Sequence, residues 1–152
     1  MRVLFAGTPA IAVPSLRETA RTHTVCAVLT CPDRQAGRGR AAGTSAVKEA
    51  ALALGLRVLE ADRIDAGIRD TVRALAPELL VVVAFGRIFR QSFLELFPRG
   101  GVNVHPSLLP LHRGPSPIAS AILCGDRETG VTVQRIAREV EAGEVFAQRR
   151  VG

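Results

Sequence analysis

The sequence predicts an α/β fold built on an open, doubly wound, mostly parallel sheet. Three observations carry that prediction. Short apolar runs alternate with segments of helical period from the first residue onward. The run Leu79–Phe85 stays apolar over a strand's length, as a strand covered on both faces requires. A chain of 152 residues, 47% hydrophobic and 22% charged, has the composition of one ordinary globular domain.

The elements follow in order. Arg2–Ala6 is a short buried strand, with Gly7-Thr8-Pro9 as its turn. Ile11–Ala20 has apolar residues at helical spacing, and Pro14 is tolerated there only near the first turn. Thr24–Thr30 is rich in β-formers and predicts the second strand. Residues 31–43 hold Arg and Gly without periodicity and predict a mobile loop. Helices are expected over Ser45–Leu54 and Ile64–Ala76, with a short strand at Arg57–Leu59 between them. After Leu79–Ala84 come a helix near Gln91–Phe97 and a strand at Gly101–His105. A helix over Pro115–Cys124 and strands at Gly130–Ile136 and Val145–Val151 complete the chain.

Composition removes several classes of function. The opening apolar run is broken by Pro9 and Pro14 and is too short for a signal peptide, and no run is long enough to span a membrane. Cys26, Cys31 and Cys124 form an odd set without a CxxC, which fits reduced thiols and not a zinc cage or disulfide framework. Twenty basic residues against 14 acidic give a formal charge of +6 and favour a polyanionic partner. One lysine, Lys48, among those basic residues makes arginine-rich genomic composition an equally good account of the charge.

A doubly wound sheet raises the question of a nucleotide. The first turn, Ala6-Gly7-Thr8-Pro9-Ala10-Ile11-Ala12, lacks the GxGxxG that brings backbone against pyrophosphate. The glycines of residues 37–45 lack the lysine of a phosphate-binding loop, so both nucleotide readings fail.

The informative segment is Asn103-Val104-His105-Pro106. In a strand, residues two apart share a face, so Asn103 and His105 project together. Pro106 ends the ladder and places the pair at the carboxyl edge of the sheet, where open α/β sheets bind ligands. An amide beside an imidazole supplies a donor for a developing oxyanion and a proton carrier near neutral pH. Two polar residues capping a turn would look the same. His23 and His112 lack a partner at ligand spacing and are expected to be surface or turn residues.

The stretch Asn103-Val104-His105-Pro106-Ser107-Leu108-Leu109-Pro110 resembles the signature of the 10-formyltetrahydrofolate-dependent formyltransferases. Phe5-Ala6-Gly7-Thr8-Pro9, Pro32-Asp33-Arg34-Gln35-Ala36-Gly37-Arg38-Gly39 and Gly125-Asp126-Arg127-Glu128-Thr129-Gly130-Val131-Thr132 narrow it: together they are similar to the methionyl-tRNA formyltransferases. The resemblance runs from Met1 to Gly152. It implies a Rossmann-like formyltransferase fold, 10-formyltetrahydrofolate as co-substrate, no metal, and a cytoplasmic monomer. The implied reaction moves a formyl group to the α-amine of methionyl initiator tRNA, with no membrane partner.

Carried over by position, Asn103 and His105 fall on the family's catalytic Asn and His. Ser107, Leu108, Leu109 and Pro110 fall on its folate-contacting stretch, and Phe85, Gly86, Arg87 and Ile88 on its pterin pocket. Arg34, Arg38 and Arg40 fall on a loop that the family inserts at the tRNA acceptor arm, with Arg38 on its key arginine. Arg113-Gly114 resembles the family's Arg-Gly at the folate mouth.

Two departures stand out. Where the family places an aspartate in Asp-x-Gly-Asp, this chain has Glu141-Ala142-Gly143-Glu144. One extra methylene is expected to displace the carboxylate by about an ångström, a misplacement that costs about 100-fold unless the loop adjusts. On that expectation, Glu141→Asp would raise the rate. The second departure is length. Family members continue into a β-barrel domain, so residues 1–152 are expected to be an incomplete catalytic domain, truncated within the sheet region. Two alternatives to the tRNA-directed enzyme are a formyltransferase acting on a small amine such as a sugar nucleotide, and a non-catalytic folate- or RNA-binding remnant.

Overall fold

The structure is a computed structural model that describes residues 1–33, 43–137, 139 and 141–152. The loop expected over 31–43 falls largely outside those residues, and Arg34, Arg38 and Arg40 lie outside them altogether.

Seven strands form one sheet: β1 (Arg2–Gly7), β2 (Thr24–Thr30), β3 (Val58–Glu60), β4 (Leu79–Val83), β5 (Gly101–His105), β6 (Thr129–Arg135) and β7 (Val145–Val151). Their order is β3-β2-β1-β4-β5-β6-β7. The first five are parallel, while β5–β6 and β6–β7 pair antiparallel. The chain winds outward from β1 to β3, returns, and resumes on the other side at β4. That reversal opens a crevice beyond the carboxyl ends of β1 and β4.

Helices α1 (Val13–Thr22), α2 (Ala46–Ala53), α3 (Ala66–Leu75), α4 (Gln91–Leu94) and α5 (Pro117–Cys124) connect these strands. A 3₁₀ turn at Ala10–Ala12 precedes α1, and Pro14 sits in its first turn, where a missing N–H costs nothing. Asp65 caps α3 by accepting from the Ile68 N–H at 2.9 Å. Ala76 ends that helix in the left-handed region just before Pro77.

Alternation along the strands divides the core in two. Leu4, Ala6, Leu29, Leu80 and Val82 pack with Val72 of α3, Phe93 of α4 and Phe97 beyond it. Phe5, Val25, Val28 and Val83 pack on the opposite face with Leu16 of α1 and Val47 and Ala51 of α2. Gly7 is required where β1 ends, because a Cβ there would lie 2.8 Å from the Val83 carbonyl oxygen.

Four phenylalanines spaced four residues apart extend the α4 side of the core. Phe85 stacks on Phe89 at 5.3 Å, Phe89 on Phe93 at 5.1 Å, and Phe97 meets Phe93 edge-on at 5.3 Å. Each such pair adds about 0.5–1.5 kcal/mol beyond the area it buries. The even spacing was visible in the sequence, but only Phe93 lies within α4, so helical period does not explain it.

Polar contacts tie Asp33, just before segment 34–42, to Ser45 and Lys48 just after it. Asp33 accepts from the Ser45 N–H at 3.2 Å and from Lys48 Nζ at 2.7 Å, and Lys48 also reaches Glu60 at 2.9 Å. Ser45 caps α2 by accepting from the Lys48 N–H at 3.1 Å. The Lys48 ammonium holds the Asp33 carboxyl below its ordinary range. A depressed carboxyl stabilises the fold above its unfolded pKa of about 3.9, and the contribution disappears as pH falls through the lower folded value. Lys48→Met is therefore expected to lower Tm at neutral pH, with the difference shrinking below about pH 4. Thermal melts of both proteins between pH 7 and pH 2 check this; a difference that persists undiminished in acid would refute the pairing.

Candidate active site

Strand β5 carries the first two candidate residues. Its register sets Val82 of β4 beside Asn103 and Val83 beside Val104. Asn103 therefore stands on the face shared with α4, and His105, two residues on, closes the strand at the sheet's carboxyl edge. A cavity of about 700 Å³ opens there, a size suited to a drug-sized ligand. Asn103, Gln134 and Glu141 supply polar groups to it, and Ile88, Phe89, Leu94 and Ile136 supply apolar surface.

His105 lies behind this cavity, with its side chain only 4% exposed. Its Nδ1 is 2.9 Å from Oε1 of Glu141, and its Nε2 is 2.9 Å from the carbonyl oxygen of His112. Both partners are acceptors, an arrangement that a ring protonated on both nitrogens satisfies in full. The second carboxylate oxygen of Glu141 accepts from the Gly114 N–H at 2.6 Å. The longer side chain thus does not overshoot. Glu141 adopts φ +56°, and the following turn brings Gly143 against β6 so tightly that a Cβ would lie 1.8 Å from the Arg135 carbonyl oxygen. In this structure the Glu141 carboxylate is therefore in direct contact with the His105 ring, where a displaced carboxylate was expected.

His112, for which the sequence offered no partner, faces Asp126 at 2.5 Å while its own carbonyl meets His105. Its φ of +52° turns the chain so that Gly114 reaches Glu141. The signal available in sequence was the Arg113-Gly114 pair, which marks the turn without revealing the contact.

The remaining candidates divide between places. Arg87 and Ile88 line the cavity, and Arg87 is held by Asp62 and by the Gly86 carbonyl at 3.0 Å. Phe85 is buried in the core, and its carbonyl oxygen takes contacts from Thr8 and Cys31. Gly86 lies beside a second, shallower depression with Thr8, Asp33 and Ser45. Ser107, Leu108, Leu109 and Pro110 do not line the main cavity. They form a bend pinned by Thr132, which donates to the Ser107 carbonyl at 2.7 Å and accepts from the Leu109 N–H at 3.1 Å. Leu108, Leu109 and Pro110 instead border a separate depression of mixed character with Gln148 and Arg150. Among the described residues, no three His, Cys, Asp or Glu side chains gather as metal ligands.

The chain matches the formyl transferase family over residues 1–152. It belongs to that family. A methionyl-tRNA formyltransferase of Treponema pallidum (strain Nichols) is 47% identical over 159 residues, covering 99% of this chain and 50% of the relative. A second, from Borrelia duttonii (strain Ly), is 43% identical over 148 residues, covering 97% and 48%. The chain thus spans about half the length of the curated relatives it matches. A phosphoribosylglycinamide formyltransferase from Streptococcus pneumoniae TIGR4 has the same fold, with a TM-score of 0.78 at 23% identity over 99% of this chain and 81% of that one. Membership in the formyl transferase family agrees with the mostly parallel open sheet, and no helix among the described residues is long and apolar enough to cross a membrane.

Proposed function

We propose that this chain forms the catalytic domain of an enzyme that transfers a formyl group from 10-formyltetrahydrofolate to the α-amine of methionyl initiator tRNA. The observation that carries the reading is that Asn103 and Glu141 line a mixed polar and apolar cavity, with His105 buried behind it and bonded to Glu141. The names of the two relatives supply the tRNA direction.

The chemistry asks little beyond these three groups. The amine nitrogen attacks the formyl carbon, a C–N bond forms, and the carbonyl π pair moves to oxygen. The Asn103 amide donates to that oxyanion as charge develops. Glu141, which lines the cavity and is held by His105, accepts the proton lost by the amine and returns it to the departing folate nitrogen. The tetrahedral intermediate then collapses as the bond from carbon to N10 breaks. Arg87, Ile88 and Phe89 line the cavity with partly apolar surface suited to a pterin ring, while Arg34, Arg38 and Arg40 carry the positive charge assigned to the tRNA acceptor arm.

An assay with 10-formyltetrahydrofolate and charged initiator tRNA tests this. Formylated methionine should be released on hydrolysis of the product, and the KM for tRNA should rise steeply with salt. Arg38→Ala should raise that KM while leaving the KM for folate unchanged. Absence of transfer would favour a remnant, and equal transfer to an amino sugar nucleotide would favour the small-amine enzyme.

A further inference from the structure

The carbonyl of His112 and the N–H of Gly114 lie on one short arc of backbone. Between them they hold His105 Nε2 and the second oxygen of Glu141, so the direction of both groups depends on what fixes that arc. The stretch before it is well anchored. Ser107 Oγ donates to the Leu111 carbonyl at 2.6 Å, the Leu111 N–H donates to the Leu108 carbonyl at 3.0 Å, and Thr132 pins Ser107 and Leu109. Residues 112–114 have no such support. Apart from the contacts to His105 and Glu141, the hydrogen bond that ties them to the rest of the protein, among the described residues, joins the His112 ring to Asp126.

Asp126 is a firm anchor for that bond. Gly125 ends α5 at φ +69°, and the Asp126 N–H donates to the Ala121 carbonyl at 3.0 Å, which fixes Asp126 against the helix. The His112 and Asp126 side chains are 14% and 29% exposed, against 60–71% for the surface pairs Arg21–Glu18 and Arg73–Asp70, so solvent screens this pair less. The backbone also calls for such a tie. A φ of +52° is uncommon outside glycine and persists where surrounding contacts determine it.

We propose that His112 and Asp126 are positioning residues for the formyl transfer proposed above, on which this inference rests. Asp126 holds the His112 ring, and the ring holds the left-handed turn. The turn aims the His112 carbonyl at His105 and the Gly114 N–H at Glu141. The pair touches no reacting atom; it sets the orientation of the carboxylate that takes the amine proton.

The test combines a spectroscopic and a kinetic measurement. In nitrogen-labelled, ligand-free protein, the His105 Nε2 proton should give a slowly exchanging NMR signal, protected by its bond to the His112 carbonyl. Asp126→Ala and His112→Asn should each shift that signal or speed its exchange. Asparagine tolerates the left-handed region but is too short to replace the imidazole, so His112→Asn removes the tie without straining the turn. Each variant should lower kcat about 10-fold through misalignment, with the KM for 10-formyltetrahydrofolate unchanged. The double variant should lose no more than either single one. Asp126→Asn, whose amide oxygen still accepts from the ring, should restore most of the rate and the signal. No protected signal in the unmodified protein, or one that stays unmoved in both variants, would overturn the link to His105. A lowered Tm with kcat unmoved, or losses that multiply in the double variant, would overturn the positioning role. The NMR measurements need no turnover, so they decide the link even if the protein fails to transfer formyl groups.

Discussion

Asn103→Ala should slow formyl transfer by about 100- to 1,000-fold, the loss typical of removing one oxyanion donor from a preorganised site. The fold should survive. Asn103 is only half-buried, and the backbone ladder that joins β5 to β4 and β6 does not depend on its side chain. Single-turnover formylation, set beside a thermal melt, separates the two effects. A Tm close to that of the unmodified protein with transfer lost is the expected pair of results, and unchanged turnover would remove Asn103 from the mechanism. Asn103→Asp makes a sharper version of the test, because a carboxylate fits the same space but offers the oxyanion only acceptors.

The parts of the site visible in sequence were those written in local pattern. Alternation in Gly101–His105 and the stop at Pro106 placed Asn103 and His105 at a strand end, because the two-residue period leaves no other choice of face. Burial of β1 and β4 was equally plain, since apolar runs of five or six residues have few other destinations in a parallel sheet. What pattern could not show is how far a loop bends. Glu141 looked misplaced because a side-chain length was judged against a fixed backbone. The positive φ at Glu141 and the contact of Gly143 with β6 are tertiary features that no local pattern records, and in their presence the carboxylate lies 2.9 Å from His105.

Long-range closure was hidden for the same reason. His112 lies seven residues from His105 and 14 from Asp126, and it touches both, one through its backbone and one through its ring. No periodicity records such a bridge. The placement of Gln134 opposite Asn103 likewise depends on the antiparallel register of β6, which is fixed only once the chain has returned through α5. The bend at Ser107–Pro110 is another case. Its motif marks a folate contact by resemblance, yet its hydrogen bonds run to Thr132, and its side chains border a different depression from the one holding Asn103.

Glu141 carries the prediction with the largest expected effect. Both of its oxygens are occupied, one 2.9 Å from His105 Nδ1 and the other accepting from the Gly114 N–H at 2.6 Å. Glu141→Gln preserves the reach, but an amide cannot accept the amine proton. If its nitrogen faces Nδ1, it also forces His105 to accept where it now donates. Transfer should fall by about 100- to 10,000-fold, the range for losing a positioned acid–base group. Glu141→Asp keeps the charge and shortens the side chain by one methylene, so the carboxylate can no longer span His105 and Gly114 together. A smaller loss of about 10- to 100-fold follows from that displacement. The order of rates is therefore glutamate, then aspartate, then glutamine, and formylation by the three proteins at one pH and saturating folate measures it. An aspartate variant faster than the unmodified protein would mean that the left-handed turn at Glu141 does not hold in the working enzyme. Rates that do not distinguish the three residues would remove the carboxylate from proton transfer, leaving Glu141 as a clamp between the turn at Gly114 and the end of β5.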